Sequence, residues 1–310
     1  MGFYGLFIAE MSRIFRKKSF YVLLVLVPLP VAVSFFLSSS KIVEPVLAVA
    51  SAEEKKSLWL VFLGVNMGGA VSMLMHLVSL GTVSTYAWLF AALFGGDLYA
   101  SDARDGLMAL MLVRPVRRSQ LALAKLFAVF SFLAIFYALS AFFVYLAAWI
   151  MAGAQEYAWM VPVYGLLLAL GSLPLLLLSS IIGFSLRSPV LGILLGIVAY
   201  FLSGVAVSIP VMQVLVTHNA SSRVAVVVYG EAAAKTIYYG SFNPLSPVNI
   251  ANYASMILVG LDKYTVATGF MARPIELSVE TLLANSLASW GFSLAVLAAL
   301  LLYYFHRRDF

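Results

Sequence analysis

The densest polar chemistry in this chain falls between two apolar stretches, in the run Asp97, Asp102, Arg104, Asp105, Arg114, Arg117 and Arg118. Carboxylates this close could work as an acid–base pair. That chemistry needs two carboxylates sharing one proton at short range, and no second aspartate lies within another apolar stretch to partner Asp97. The spacing fits helix punctuation better. Asp102 is placed to accept hydrogen bonds from the free amides of a new turn, Asp105 follows three residues later as in a capping box, and both carboxylates suit the positive end of a helix dipole. Pro115 should close that helix, because the residue before a proline is pushed out of α geometry. The spacing therefore predicts a short helix over 103–113, with Ala103, Leu107, Leu110 and Met111 on one side. Gly106 lies inside it, and Arg114, Arg117 and Arg118 follow its end. Ser119 is expected to cap the next helix, from which Lys125 should snorkel back to the membrane surface.

Other reactive chemistry is sparse. The chain has 0 cysteines, which removes disulfides and thiolate metal sites. His76, His218 and His306 are far apart, and no histidine metal centre is expected. A Gly-x-x-x-x-Gly-Lys-Ser/Thr phosphate loop does not occur, so ATP hydrolysis would have to come from another polypeptide.

The elements that must position the charged run are membrane helices. Of 310 residues, 63% are hydrophobic and 10% charged, with a formal net charge of +6, far from the roughly one-quarter charged residues of a soluble domain. The basic residues stand in short clusters between apolar runs and read as topology signals, so no nucleic-acid partner is expected. A bilayer core of about 30 Å needs roughly 20 apolar residues in a helix. Six runs qualify, near 19–38, 80–99, 120–150, 160–184, 189–215 and 285–305, with kinks expected at Pro28, Pro30, Pro162, Pro174 and Pro210. The expected fold class is an all-α integral membrane protein.

Charge decides the status of a seventh stretch, 58–78. With six spans and the amino terminus inside, 12 of the 19 basic residues are cytoplasmic; if 58–78 also crossed, eight would be. The positive-inside tendency selects six spans with both termini in the cytoplasm of a plasma-membrane protein. The segment 40–78 then lies on the outer side, with 58–78 re-entrant, interfacial or an extension of the second span. Gly64, Gly68 and Gly69 would suit its close packing. Residues 216–284 form an external, partly helical region containing the acceptor triplet Asn219-Ala220-Ser221 and the turn-rich run Asn243-Pro244-Leu245-Ser246-Pro247.

Residues 1–18 form the remaining element. Phe3, Leu6, Phe7, Met11, Ile14 and Phe15 recur at helical spacing, with Glu10, Ser12, Arg13 and Arg16 on other faces and Lys17 and Lys18 following. A basic amphipathic helix before a first span is expected to lie along the inner surface, with its aromatics in the acyl boundary and its cations among lipid headgroups. It is not expected to be a cleaved export signal, since the apolar run after it is long enough to stay in the bilayer.

Taken in order, Asp102, Gly106, the apolar Leu107–Val113, Arg114-Pro115, Arg117 or Arg118, and Lys125 at the start of the next span resemble the signature loop of ABC-2 type permeases. These are membrane subunits of one class of ATP-binding-cassette transporters. Leu107 departs from the pattern, where the family often has threonine. The likeness extends coarsely to the six-span plan and to the amphipathic amino terminus with Glu10 and its following cations. It implies that the loop helix docks as a coupling helix in a groove of a separate cytosolic ATPase, which would hold ATP and Mg. It also implies that two permease copies or homologous halves pair around the substrate path. The chain itself would be a transport subunit and not an enzyme, with export the expected direction. A secondary carrier or channel is the rival reading, but such proteins place ionisable groups at mid-membrane depth, and the spans carry none apart from Asp97 near an inner end. An intramembrane protease is the second rival, because Gly95-Gly96-Asp97 is similar in form to the Gly-x-Gly-Asp element of aspartyl types.

Overall fold

The computed structural model describes residues 3–16, 55–65, 83–106, 117–217, 232–266 and 275–307. Along the chain these form α1 (Phe3–Arg16), α2 (Leu58–Phe62), α3 (Val83–Leu98), α4 (Ala100–Arg104), α5 (Arg118–Ala152), α6 (Met160–Leu186), α7 (Pro189–Thr217), α8 (Pro247–Leu258), β1 (Lys263–Val266), β2 (Ile275–Ser278) and α9 (Val279–Arg307). A further helical stretch covers 232–240. Four helices, α5, α6, α7 over Pro189–Ala206, and α9, are long and apolar enough to cross a membrane. They coincide with four of the expected spans, α9 starting six residues before the expected 285. Helix α3 covers the expected 80–99 span over 16 residues. The expected first span, 19–38, lies outside the described residues, as do Pro28 and Pro30.

Helix α6 is the central element, packed on α5, α3, α7, α8 and α9. Its end is set by local chemistry. Arg187 takes a left-handed conformation (φ 50°), Ser188 N–H bonds back to Gly183 O at 3.0 Å, and the Ser188 hydroxyl accepts from Leu191 N–H at 3.3 Å. Pro189 then begins α7, where its missing N–H costs nothing. This tight turn folds α7 back along α6 and brings their glycines together. A Cβ on Gly192 would stand 2.7 Å from Gly183 Cα and 3.0 Å from Gly96 Cα, and one on Gly96 would stand 2.6 Å from the backbone nitrogen of Ile193. Three helices thus cross backbone to backbone where any side chain would separate them. The Gly95-Gly96 pair before Asp97 is in this way accounted for by packing.

Pro174 cannot donate to the carbonyl of Leu170 four residues earlier. The indole N–H of Trp290, on α9, makes that bond instead at 2.8 Å. Replacing Trp290 by Phe keeps an aromatic ring but leaves the carbonyl without its donor, so a loss of roughly 1–3 kcal/mol is expected. Unfolding midpoints in one detergent would measure it, and equal stability would show the carbonyl bonded elsewhere.

Part of the polar 216–284 region packs into the bundle. Residues 232–240 and α8 are joined by a turn that reaches inward. Ser241 is buried, its carbonyl accepting from the Ser286 hydroxyl of α9 at 2.9 Å and its hydroxyl from Asn285 Nδ2 at 3.2 Å. Pro247 O abuts Gly171 of α6. Ser286 and Gly171 lie roughly 10–16 Å along their helices from the near ends. Non-helical backbone at such depth is tolerated only when its polar groups are satisfied by protein. Asn249 Nδ2 donates to Gly240 O at 2.8 Å and Leu245 N–H to Asn243 Oδ1 at 3.0 Å, which accounts for the polar residues of the turn. After α8, β1 and β2 pair antiparallel, with Thr265 opposite Glu276; this ribbon is the departure from an all-α chain. Asn219 lies outside the described residues.

The stretch 58–78 is described as far as Val65. Leu58 to Leu63 and Val65 are buried within the main apolar cluster with Tyr137, Tyr164 and Met256. This part is therefore enclosed by protein.

Candidate functional site

Charged residues from three elements far apart in sequence meet at the end of the bundle where α4 and the start of α5 lie. Helix α5 spans 35 residues, about 52 Å against a bilayer core of about 30 Å, so its ends project. Lys125 lies about two turns into it. Helix α1 packs along α5, with Phe3 edge-on to Phe127 at 6.0 Å. Between α1 and α5, Arg13 makes a two-pronged contact with Asp102, Nη2 to Oδ1 at 2.6 Å and Nη1 to Oδ2 at 3.1 Å. Lys125 Nζ donates to the same Asp102 Oδ2 and lies 3.6 Å from Glu10 Oε1. Glu10 Oε2 is in turn 3.8 Å from Arg13 Nη1. The result is a closed ring of two carboxylates and two cations with no net charge. Asp102 is 1% exposed, Lys125 2% and Glu10 14%.

Burial alone would raise the pKa of Asp102, but the hydrogen bonds and charges of Arg13 and Lys125 outweigh it and hold the carboxyl below the ordinary carboxylate range. The hydrogen bond to Asp102 raises that of Arg13. A depressed folded-state pKa contributes stability that is present above the unfolded value of about 3.9 and is lost as pH falls through the folded value. Docking of α1 should then be constant from pH 8 to about 5 and loosen only below about 4. Spin labels on Ile8→Cys and Leu123→Cys, both exposed positions, would report the distance in this otherwise cysteine-free chain. Broadening near pH 6–7 would mean that another group controls docking.

Several expectations change here. Asp102 is not a helix cap: it lies inside α4, whose first turn carries no side-chain capping bond, and is drawn inward by its two cations. Residues 103 and 104 end that helix instead of starting the expected 103–113 helix; Asp105 follows as its C-cap, and Gly106 takes a positive φ of 70°. Asp105 and Arg104 pair with each other on the surface at 2.9 Å. Leu107, Leu110, Met111, Arg114 and Pro115 lie outside the described residues, as do Lys17 and Lys18. Arg117, not Ser119, is the N-cap residue of α5. Lys125 turns inward to Asp102 and does not snorkel, because a carboxylate within reach satisfies the ammonium better than a long path to the surface.

Helix α1 is also rotated from its expected setting. Leu6 and Ile14 pack into the apolar clusters, Glu10 and Arg13 face the ring, and the more exposed side carries Tyr4 (73% exposed), Ile8 and Phe15 with Arg16. The ionic side of the helix is thus its protein side.

Residues that sequence reasoning missed underlie the ring. Tyr99, buried, donates to Ala122 O at 2.7 Å and stacks edge-on against Phe305 at 5.0 Å and Phe184 at 6.0 Å. Arg118 Nη1 donates to Phe305 O at 3.4 Å. These contacts tie α4, the base of α5, α6 and α9 into one apolar base. Nothing in the spacing of Tyr99, Phe184 and Phe305 signals it. Among the described residues no three His, Cys, Asp or Glu side chains gather as a metal site. What the arrangement can do is mechanical: displacement of α4 draws on α5 through the buried Asp102–Lys125 pair, which is costly to separate, and on α1 through Arg13, whose side chain is 36% exposed. The chain matches no protein-family model, and no curated protein or solved structure is similar to it.

Proposed function

We propose that the chain is the membrane-spanning subunit of an ATP-driven transporter of the ABC-2 type, worked by a separate cytosolic ATPase that pushes on the segment after α4. The observation that carries this reading is the ring that joins the buried Asp102 and Lys125 to the part-exposed Arg13. The 107–113 segment follows directly on α4, so a force applied there reaches Asp102 first. The ring then passes it to the base of α5 and to α1, which suits a rigid-body tilt of helices between two access states. In this reading Arg104, Asp105 and Gly106 form the hinge of the coupling segment. Leu107, Leu110 and Met111 meet the ATPase groove, and Arg114, Pro115, Arg117 and Arg118 close the segment, the cations facing acidic partner residues. Six spans, cytoplasmic termini, pairing with a second permease copy, and export belong to the same proposal. The position of the charges near one end of α5, not at mid-membrane depth, favours it over an ion-coupled carrier.

Affinity purification from native membranes should bring down a phosphate-loop ATPase with the wild-type chain. Leu110→Asp with Met111→Asp should lose the ATPase while inserting normally. Asp102→Asn with Gly106→Ala should keep the ATPase bound but break the link between its hydrolysis and transport. Arg104→Cys, on an exposed side chain, should react with an impermeant thiol reagent only after cells are opened. Reaction in intact cells would overturn both the topology and the role.

A further inference from the structure

The opposite end of the bundle carries an arrangement that the coupling role does not use. Residues 55–65 are threaded between the α5–α6 turn and α8, and both sides hold them by polar bonds. On the first side, Gln155 Nε2 donates to Lys55 O at 2.9 Å and Trp59 N–H donates to Gln155 Oε1 at 3.4 Å. The Trp59 indole donates to Glu156 O at 2.9 Å, and Glu156 N–H to Lys56 O at 2.7 Å.

The second side is slighter. Asn252 of α8 donates through Nδ2 to Gly64 O at 3.1 Å, and the Tyr164 hydroxyl of α6 lies 3.0 Å from Leu63 O and 3.1 Å from Asn252 Oδ1. Gly64 has a positive φ of 89°, and a Cβ there would come to 3.6 Å from Asn252 Nδ2. The turn is thus shaped to present its carbonyls to two side chains. Below it lies an anomaly. Ser255, three residues after Asn252 and so on the same flank of α8, is 0% exposed, and its hydroxyl finds no hydrogen-bond partner among the described residues. An unpaired buried hydroxyl opposes the closed arrangement and would be relieved by any movement that admits water.

We propose that Tyr164, Asn252 and the Leu63-Gly64 carbonyls form a latch that holds the 55–65 segment against α8, and that its release admits water along this flank of α8 as far as Ser255. The Gln155 side is the anchor, with a larger set of bonds; the Asn252 side is the part that opens. The latch involves this end of the molecule alone and needs no ATPase.

The test uses the absence of native cysteines. Ser255→Cys is nearly isosteric and, in detergent-solubilised protein, should react slowly with a charged methanethiosulfonate. Ser140→Cys, buried on α5 with its hydroxyl bonded within its own helix, serves as the control. Adding Asn252→Ala should raise the rate at position 255 at least tenfold and leave position 140 unchanged; Tyr164→Phe, which spares the Asn252–Gly64 bond, should give a smaller rise. An unchanged rate at 255 in the Asn252→Ala protein would overturn the latch. Equal acceleration at 255 and 140 would also overturn it, by showing that these bonds hold the whole bundle together.

Discussion

Replacing Lys125 by methionine is expected to destabilise the protein by about 3–5 kcal/mol, the cost of removing one partner from a buried carboxylate. Lys125 contacts both Asp102 and Glu10, so its loss leaves two acids facing the single cation Arg13. Asp102→Asn alone is unfavourable in the opposite sense, with two cations facing Glu10. The double variant restores neutrality through Glu10 and Arg13. It should therefore be less destabilised than the sum of the single variants, by on the order of 1–3 kcal/mol. Thermal unfolding followed by tryptophan fluorescence in one detergent would give the three values. Additive effects would mean that the ring is not an energetic unit, and the mechanical argument built on it would fall with it.

Gly192→Ala should be severely destabilising while Gly204→Ala, twelve residues along the same helix, should not. At position 192 the new methyl would meet backbone of both α6 and α3, at 2.7 and 3.0 Å. Backbone cannot turn aside as a side-chain end can, so three helices must part, at a cost of about 1–3 kcal/mol or more. At position 204 the methyl would meet no described atom of another element within 4 Å, and alanine gains up to about 1 kcal/mol in helix propensity. The two substitutions are chemically identical, so their difference isolates packing. Equal effects would show that α7 does not approach α3 and α6 this closely.

Much of this molecule is legible along the chain. Runs of apolar residues marked α5, α6, α7 and α9 almost to their ends, because in a bilayer every backbone polar group must be satisfied within its own segment, so length and composition suffice. The charges of the site were legible as individuals: Glu10, Arg13, Asp102 and Lys125 were each singled out. Their meeting was not, since Arg13 and Asp102 stand 89 residues apart and Asp102 and Lys125 23 apart. Local rules then misassigned them. An aspartate before an apolar run reads as a cap, and a lysine at the start of a span reads as a snorkelling anchor. Each rule supposes solvent as the alternative partner, which the packing of α1 over α5 removes.

The polar turn shows the same limit. Asn243-Pro244-Leu245-Ser246-Pro247 is recognisable as a turn, but its spacing does not say how it packs. Its depth is decided by Ser286, Asn285 and Gly171, which offer bonds and room that only the assembled helices bring together. The amino-acid order by itself determined that this is a membrane protein, where four of its helices run, and which few residues carry charge. The tertiary structure decided which of those charges are joined, which side of α1 is the more exposed, and how far the loops reach inward. The reason is physical: hydropathy acts on each segment independently, whereas charge pairing in a dry interior depends on which side chains come within a few ångströms, and a linear sequence does not state that.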